Sequence, residues 1–275
     1  MRKLDYTASR DAVYRPEIGA TVFRHGDSPS DDLLCAQASR LAYKKFEGDP
    51  AAEAEIVDAL ARVGYSRAAF FSRHGTQAFA AEGLRSSVLL AFRGTEQNPL
   101  DFVTDLETLP APWRAGGRVH AGFARALGEV WPQLESWLQP RPGRWLFTGH
   151  SLGAALATLA ASLSKPARLI TFGSPLVGDA IFCATLASVA VDRYVGCCDM
   201  VCRIPPEQLG FRHVAFPAYI DRAGNRRTGV SAAEMIGDQI QGRAEYWAEH
   251  AWKVGNVKNR DLADHAPLNY VAALY

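Results

Sequence analysis

Residues 147–160 read FTGHSLGAALATLA, an apolar run, then Gly149-His150-Ser151-Leu152-Gly153, then an alanine-rich segment. Glycine weakens strands and helices alike, so two of them around a serine, where one regular element passes into the next, call for a chemical reason. The glycines permit a sharp turn and a close approach of helix to strand, leaving the serine hydroxyl exposed in a strained corner, the nucleophile-elbow arrangement. Ala154, Ala157 and Ala161 share one helix face and let the helix lie near the sheet. The amide of Leu152, at the helix start, points toward the corner and is the candidate donor to a developing oxyanion. A serine so placed suits attack on an acyl carbon, provided a base takes its proton and a carboxylate orients the base.

Elbows of this kind take their partners in the chain order serine, acid, histidine. The base then comes from His213, His250 or His265. His213 falls in an expected strand and His250 in an expected helix, whereas His265 lies in the loop before the last helix, the kind of position that site histidines favour. His150 adjoins the serine, but the turn aims the two side chains apart, so it reads as scaffolding. For the acid, Asp199 directly ends the apolar run RYVGCC, at the strand end where α/β sites collect. Asp179 could instead cap a helix after Gly178, and Asp264, next to His265, faces elsewhere. Position favours Asp199.

These residues need a frame. Helices are expected at 31–46, with an acidic first turn, and at 50–63, opened by Asp49-Pro50. Strand-like pieces follow at 66–73, 77–82 and 86–92. The chain then alternates: a helix at 121–138, a strand at 144–149, the helix after Ser151, a strand at 167–173, a short helix near 178–188 and a strand at 193–198. Such alternation predicts an α/β fold, a mostly parallel central sheet flanked by helices on both faces. A late strand is expected at 213–220. Ser231 with Glu234 forms a capping box opening a helix to about Val254, stopped by Gly255. Ile236, Ile240, Ala244, Trp247, Ala251 and Val254 fall on one stripe of it, a pattern expected to face the core, with extra cover of the site or contact with lipid as the alternative for a helix rich in Tyr246, Trp247 and Trp252. A last helix starts at Pro267. The length of 275 residues suits one domain over 1–275, with 1–30 as an irregular N-terminal arm.

The net charge of +1, without a block of like charges, argues against nucleic acid as a partner. No run approaches the ~18 apolar residues of a membrane span, and the start shows no apolar leader core. The five cysteines, Cys35, Cys183, Cys197, Cys198 and Cys202, have no framework spacing and read as buried free thiols of a reducing compartment. Together these features give an expectation of a cytoplasmic protein, with leaderless secretion as the alternative. No metal is expected at Cys197, Cys198 and Cys202, because neighbouring cysteines on a strand point to opposite faces.

Seven blocks in order carry a resemblance over roughly residues 31–275. They are Ala91-Phe92-Arg93-Gly94-Thr95, Asp101 through Leu106, Val119-His120-Ala121-Gly122-Phe123, the elbow, Thr171 through Asp179, Arg193-Tyr194 through Asp199 to Pro205-Pro206, and Asp264-His265 with Asn269-Tyr270. On these the chain resembles the class 3, or fungal-type, triacylglycerol lipase family, with its α/β-hydrolase fold. The resemblance makes Ser151 the nucleophile, Asp199 the acid and His265 the base. It makes Thr95 the second oxyanion donor and Asp105 the supporting carboxylate of that loop, and gives His120 and His213 structural roles. Phe102 stands where the family often has tryptophan, and Cys197, Cys198 and Cys202 stand where other residues are usual.

The resemblance implies an ester or lipid substrate, hydrolysed through an acyl-enzyme without cofactor or metal, and transient contact with a lipid–water interface. Phospholipase and thioesterase chemistry use the same triad, and a non-catalytic scaffold on this fold is the reading from another class. The stretch Glu96 through Phe102, where lipases of the family place a lid, is short and half polar. Neither acyl preference nor oligomeric state follows from the sequence.

Overall fold

Runs of Val, Leu, Ile and Phe make the central strands, and their period of two sends alternate side chains into two separate cores. The computed structural model describes residues 5–95 and 109–275. Its strands are β1 (Tyr65–Arg73), β2 (Thr76–Gly83), β3 (Ser87–Phe92), β4 (Pro110–Pro112), β5 (Arg118–His120), β6 (Arg144–His150), β7 (Arg168–Phe172), β8 (Ala190–Gly196), β9 (Pro217–Ile220) and β10 (Arg226–Arg227). All but β4 and β5, which pair with each other, form one sheet in the order β1-β2-β3-β6-β7-β8-β9-β10. Pairing is parallel from β3 through β9 and antiparallel at both edges.

The described helices are α1 (Arg10–Tyr14), α2 (Asp31–Leu41), α3 (Pro50–Ala61), α4 (Ala121–Leu138), α5 (Leu152–Ser164), α6 (Ala180–Ala184), α7 (Ala232–Glu249), α8 (Arg260–Ala263) and α9 (Pro267–Leu274). Val88, Leu90, Phe92, Phe147 and Leu169 pack under α4 and α5. Leu89, Ala91, Leu146, Ile170 and Phe172 pack under α2 and α9 on the other face. Helices therefore cover both faces, as alternation of strand and helix requires. Because β6, β7 and β8 run parallel, their carboxyl ends lie side by side, and Ser151, Gly173 and the Cys197–Asp199 turn follow those ends directly.

Local signals set most boundaries. Ser30 caps α2, and Asp49 accepts from Ala51 and Ala52 at the start of α3. The capping box of Ser231 and Glu234 forms in both directions. In the arm, Ser9 caps α1, and Val257 N donates to Ala8 O at 3.0 Å.

Three expectations are corrected. The strand expected at 193–198 ends at Gly196, so Cys197 and Cys198 lie in a turn rather than on opposite strand faces. Their sulfurs are 3.6 Å apart. The strand expected at 213–220 begins only at Pro217, leaving His213 in irregular chain. The third concerns α7. It ends at Glu249, and its apolar stripe faces solvent, with Ile236, Ile240 and Trp247 exposed and Trp247 at 76%. Its inner face is Asp238, Gly242 and Tyr246. Asp238 accepts from Tyr219 at 2.8 Å and from Arg222 N and Nη1 at 2.9 and 2.8 Å. Gly242 admits the Arg260 guanidinium, and Tyr246 donates to Val257 O at 2.7 Å. Buried hydrogen bonds lost without replacement cost more than exposed apolar surface, so the polar face turns inward. Accordingly, Trp247→Gln is expected to change stability by less than about 0.5 kcal/mol, and Tyr246→Ala to cost about 3 kcal/mol. Urea unfolding of the two variants measures both.

Candidate active site

Ser151 is the pivot between β6 and α5, and its backbone is left-handed, with φ 58° and ψ −127°. That region is costly for any residue with a Cβ, and the flanking glycines explain how the fold tolerates it. A Cβ at Gly149 would overlap the carbonyl of Gly153, and one at Gly153 would overlap the carbonyl of Phe92. Ser151 N donates to Phe172 O at 3.0 Å, tying the corner to β7.

The geometry brings three of the expected side chains together. Ser151 Oγ lies 2.9 Å from His265 Nε2, and His265 Nδ1 lies 2.9 Å from both carboxylate oxygens of Asp199. All three residues are at most 3% exposed. Since a carboxylate only accepts, Nδ1 carries the proton toward Asp199, and Nε2 is left with a lone pair facing the serine hydroxyl. Burial works to raise the pKa of Asp199, yet the charge and hydrogen bond of His265 and the hydrogen bond from Tyr270 hold it below the ordinary carboxylate value. Val201 N adds a further donor at 3.0 Å. Chemically the array can withdraw a proton from a hydroxyl and return it to a leaving group.

His150 sits one layer behind. Its Nε2 lies 2.7 Å from the carbonyl of His265, and its Nδ1 lies 2.7 Å from Tyr43 Oη. Burial, then the neighbouring His265, pushes its pKa well down. A neutral ring that donates through Nε2 to a carbonyl must accept through Nδ1, so Tyr43 donates. His150 thereby anchors the backbone that carries His265. Two hydroxyls had no site role in the sequence reading, Tyr43 and Tyr270. Tyr270 Oη donates to Asp199 Oδ2 at 2.6 Å and accepts from Gly196 N at 2.9 Å. For Tyr270, its place in the same short block as His265 was the available signal.

Leu152 is the first residue of α5, where an amide has no carbonyl one turn earlier within the helix. Thr95 follows β3 by three residues. Phe92 pairs with Gly149, and a Cβ at Gly94 would touch the carbonyl of His150, so the segment leading to Thr95 runs along the elbow. Asp105, Phe102 and the stretch 96–102 lie outside the described residues.

The other candidates go elsewhere. Asp179 caps α6 through Phe182 N at 2.8 Å. Asp264 faces away, accepting from Tyr6 at 2.8 Å, Cys198 N at 2.8 Å and Arg260 Nε at 3.1 Å. His213 Nε2 donates to Cys202 O at 2.8 Å, and His250 ends α7 against the rings of Tyr6 and Tyr246. His120 stacks on Phe123 with ring centroids 4.1 Å apart. The sulfurs of Cys197 and Cys198 approach Asp264 closely enough for a shared ion, but the oxygens of that carboxylate are already engaged by the donors named above.

Residues 89–209 match the model of the family described as lipase, class 3. A secreted mono- and diacylglycerol lipase of Fusarium solani is 30% identical over 155 residues, which is 52% of this chain and 46% of that protein. A second secreted mono- and diacylglycerol lipase, from Malassezia restricta, is 29% identical over 71% of each chain. This chain thus spans about half the length of the first of these relatives and more of the second. Among solved structures, the Rhizomucor miehei triacylglyceride lipase is similar at 26% identity and a TM-score of 0.55, over 69% of this chain and 77% of that one. These relatives overturn the cytoplasmic expectation, since the two matched by sequence are named as secreted. The physical ground for that expectation was weak: four of the five thiols are buried core side chains, whose packing does not depend on the compartment.

A pH dependence of stability follows from the buried rings. Burial holds His120 at about 4, His213 at about 3 and His150 well below 6.5. The unfolded chain therefore takes up protons near pH 6.5 that the folded chain refuses. Each of the three rings withdraws about 1.4 kcal/mol of stability per pH unit below 6.5 until its folded pKa is reached. Thermal melting from pH 8 to 4 is expected to be flat above pH 7 and to fall steeply below 6.5.

Proposed function

We propose that this chain, whose residues 89–209 match the class 3 lipase family model, is a serine hydrolase that cleaves carboxylic esters of lipids through an acyl-enzyme on Ser151. The observation that supports the reading best is the continuous line of hydrogen bonds from Ser151 Oγ through His265 to Asp199. In the proposed reaction His265 Nε2 takes the hydroxyl proton as Ser151 attacks the ester carbonyl. The tetrahedral oxyanion is met by the backbone amides of Leu152 and Thr95, each contributing about 3 kcal/mol in the transition state. His265, stabilised as imidazolium by Asp199, gives the proton to the leaving alcohol, and water repeats the sequence on the acyl-enzyme. His150 supports the His265 backbone. The same reading takes residues 1–275 as one domain, since Tyr6, Thr7 and Ala8 of the arm bond to Asp264, Asn269 and Val257.

Acylglycerols are the proposed substrate class, after the relatives named above. For contact with the lipid–water interface, the support is the row of exposed apolar side chains on α7, where Ile236, Ile240 and Trp247 are 57%, 63% and 76% exposed. No helix of the described residues is long and apolar enough to cross a membrane.

With p-nitrophenyl esters, Ser151→Ala and His265→Ala are expected to lower kcat by about 10⁴-fold or more, and Asp199→Asn by about 10⁴-fold. Labelling by a fluorophosphonate should depend on both Ser151 and His265. A Ser151→Ala enzyme with the wild-type rate overturns the reading. Trp247→Gln is expected to reduce sedimentation with phosphatidylcholine vesicles several-fold while leaving hydrolysis of a soluble short-chain ester within twofold. Unchanged vesicle binding removes α7 as the contact face.

A further inference from the structure

A cavity lies away from the elbow, between the arm, α2 and α3. Its volume is about 340 Å³, and its walls include Ile18, Gly19, Arg40, Lys44, Asp58 and Arg62. Arg40 is 2% exposed. Its Nη1 donates to the carbonyls of Pro16 at 3.0 Å and Gly19 at 2.6 Å, and its Nε reaches Gln37 Oε1 at 3.3 Å. Its Nη2 is buried without a partner, and so is Nε of Arg62. Arg62 otherwise donates from Nη1 to Phe23 O at 3.3 Å. Among the described residues neither guanidinium has a carboxylate within ion-pair distance.

A buried cation without a counterion is costly, and carbonyl dipoles offset only part of that cost. Burial alone moves Arg40 down to about 10, which still leaves it charged at neutral pH. Lys44 is engaged with Glu55, and Asp58 lies exposed at the rim. The charged lining of the cavity is thus Arg40 and Arg62, the Lys44–Glu55 pair, and Asp58 on its exposed side. Guanidinium groups with spare N–H donors match the paired oxygens of a carboxylate or phosphate.

We propose that this cavity is a binding site for a small oxyanion, held by Arg40 and Arg62 and reached past the Gly19–Thr21 segment. The shared chemistry is two or more oxygens bearing one negative charge. A carboxylate with a short alkyl chain would also cover the apolar walls of Ile18, Leu41 and Ala59, which inorganic phosphate cannot do. The site is separate from the serine hydroxyl and does not require the proposed hydrolysis to be correct.

The test uses the full chain and binding readouts. Isothermal titration and thermal melting are run with inorganic phosphate and with butyrate, each against sodium chloride of equal ionic strength. Saturable binding of either probe is expected, with a rise in Tm beyond the chloride control. Arg62→Gln is expected to weaken binding at least tenfold, and Asp58→Asn to strengthen it. Circular dichroism confirms folding of each variant. Should Arg40→Gln fail to fold, Arg62→Gln decides alone. Tighter binding of butyrate than of phosphate assigns the carboxylate, and the reverse order assigns phosphate. Absence of saturable binding by both probes overturns the site, as does wild-type affinity in Arg62→Gln.

Discussion

Everything at the sheet edge depends on one residue holding a left-handed backbone that only glycine adopts without penalty. Ser151 at φ 58° reverses the chain within a single residue, and the reversal puts its hydroxyl above the strands rather than between them. The strain persists because the surroundings over-determine it. Phe172 takes the amide, Gly149 and Gly153 leave room for backbone to touch backbone, and α5 is sealed in the core by its alanines. A larger residue at either glycine would push the helix from the strand and carry the hydroxyl away from His265.

Around that fixed point the polar side chains are arranged by tautomer. Each imidazole has one nitrogen against an obligate acceptor, His265 against Asp199 and His150 against the carbonyl of His265. That leaves each opposite nitrogen with a lone pair, one for the Ser151 proton and one for Tyr43. The order of donors is set by the chemistry of oxygen acceptors and needs no further adjustment. Burial keeps His150 neutral, so a second positive charge does not compete with the imidazolium that the proposed reaction forms at position 265.

Much of this was legible in the residues. The elbow announces itself because glycines around a serine at a strand–helix junction cost stability, and Asp199 follows from ending an apolar strand. The order of strands and helices is visible in the runs of β-branched and aromatic residues from 86 to 196. What escaped was whatever depends on distant partners. The stripe of α7 has correct helical spacing but faces water, because Asp238 finds Tyr219 and Arg222 through the fold and not through neighbours in sequence. Cys197 and Cys198 lie together because β8 stops at Gly196, two residues earlier than the apolar run suggests. Tyr43 and Tyr270 look like ordinary core aromatics until the chain is folded and their hydroxyls meet His150 and Asp199. Hydrophobic periodicity reports the type of element well and reports hydrogen-bond partners not at all.

The last helix has a consequence of its own. Residue 265 and the hydroxyl of Tyr270 both belong to the short segment around α9, which is laid on α2 after the sheet is already complete. A short helical segment of this kind can open while the eight strands stay paired, since local opening demands less free energy than global unfolding. Parting of the Ser151–His265 pair on warming would then begin as the opening of that one piece, reversible on cooling, well before the strands separate.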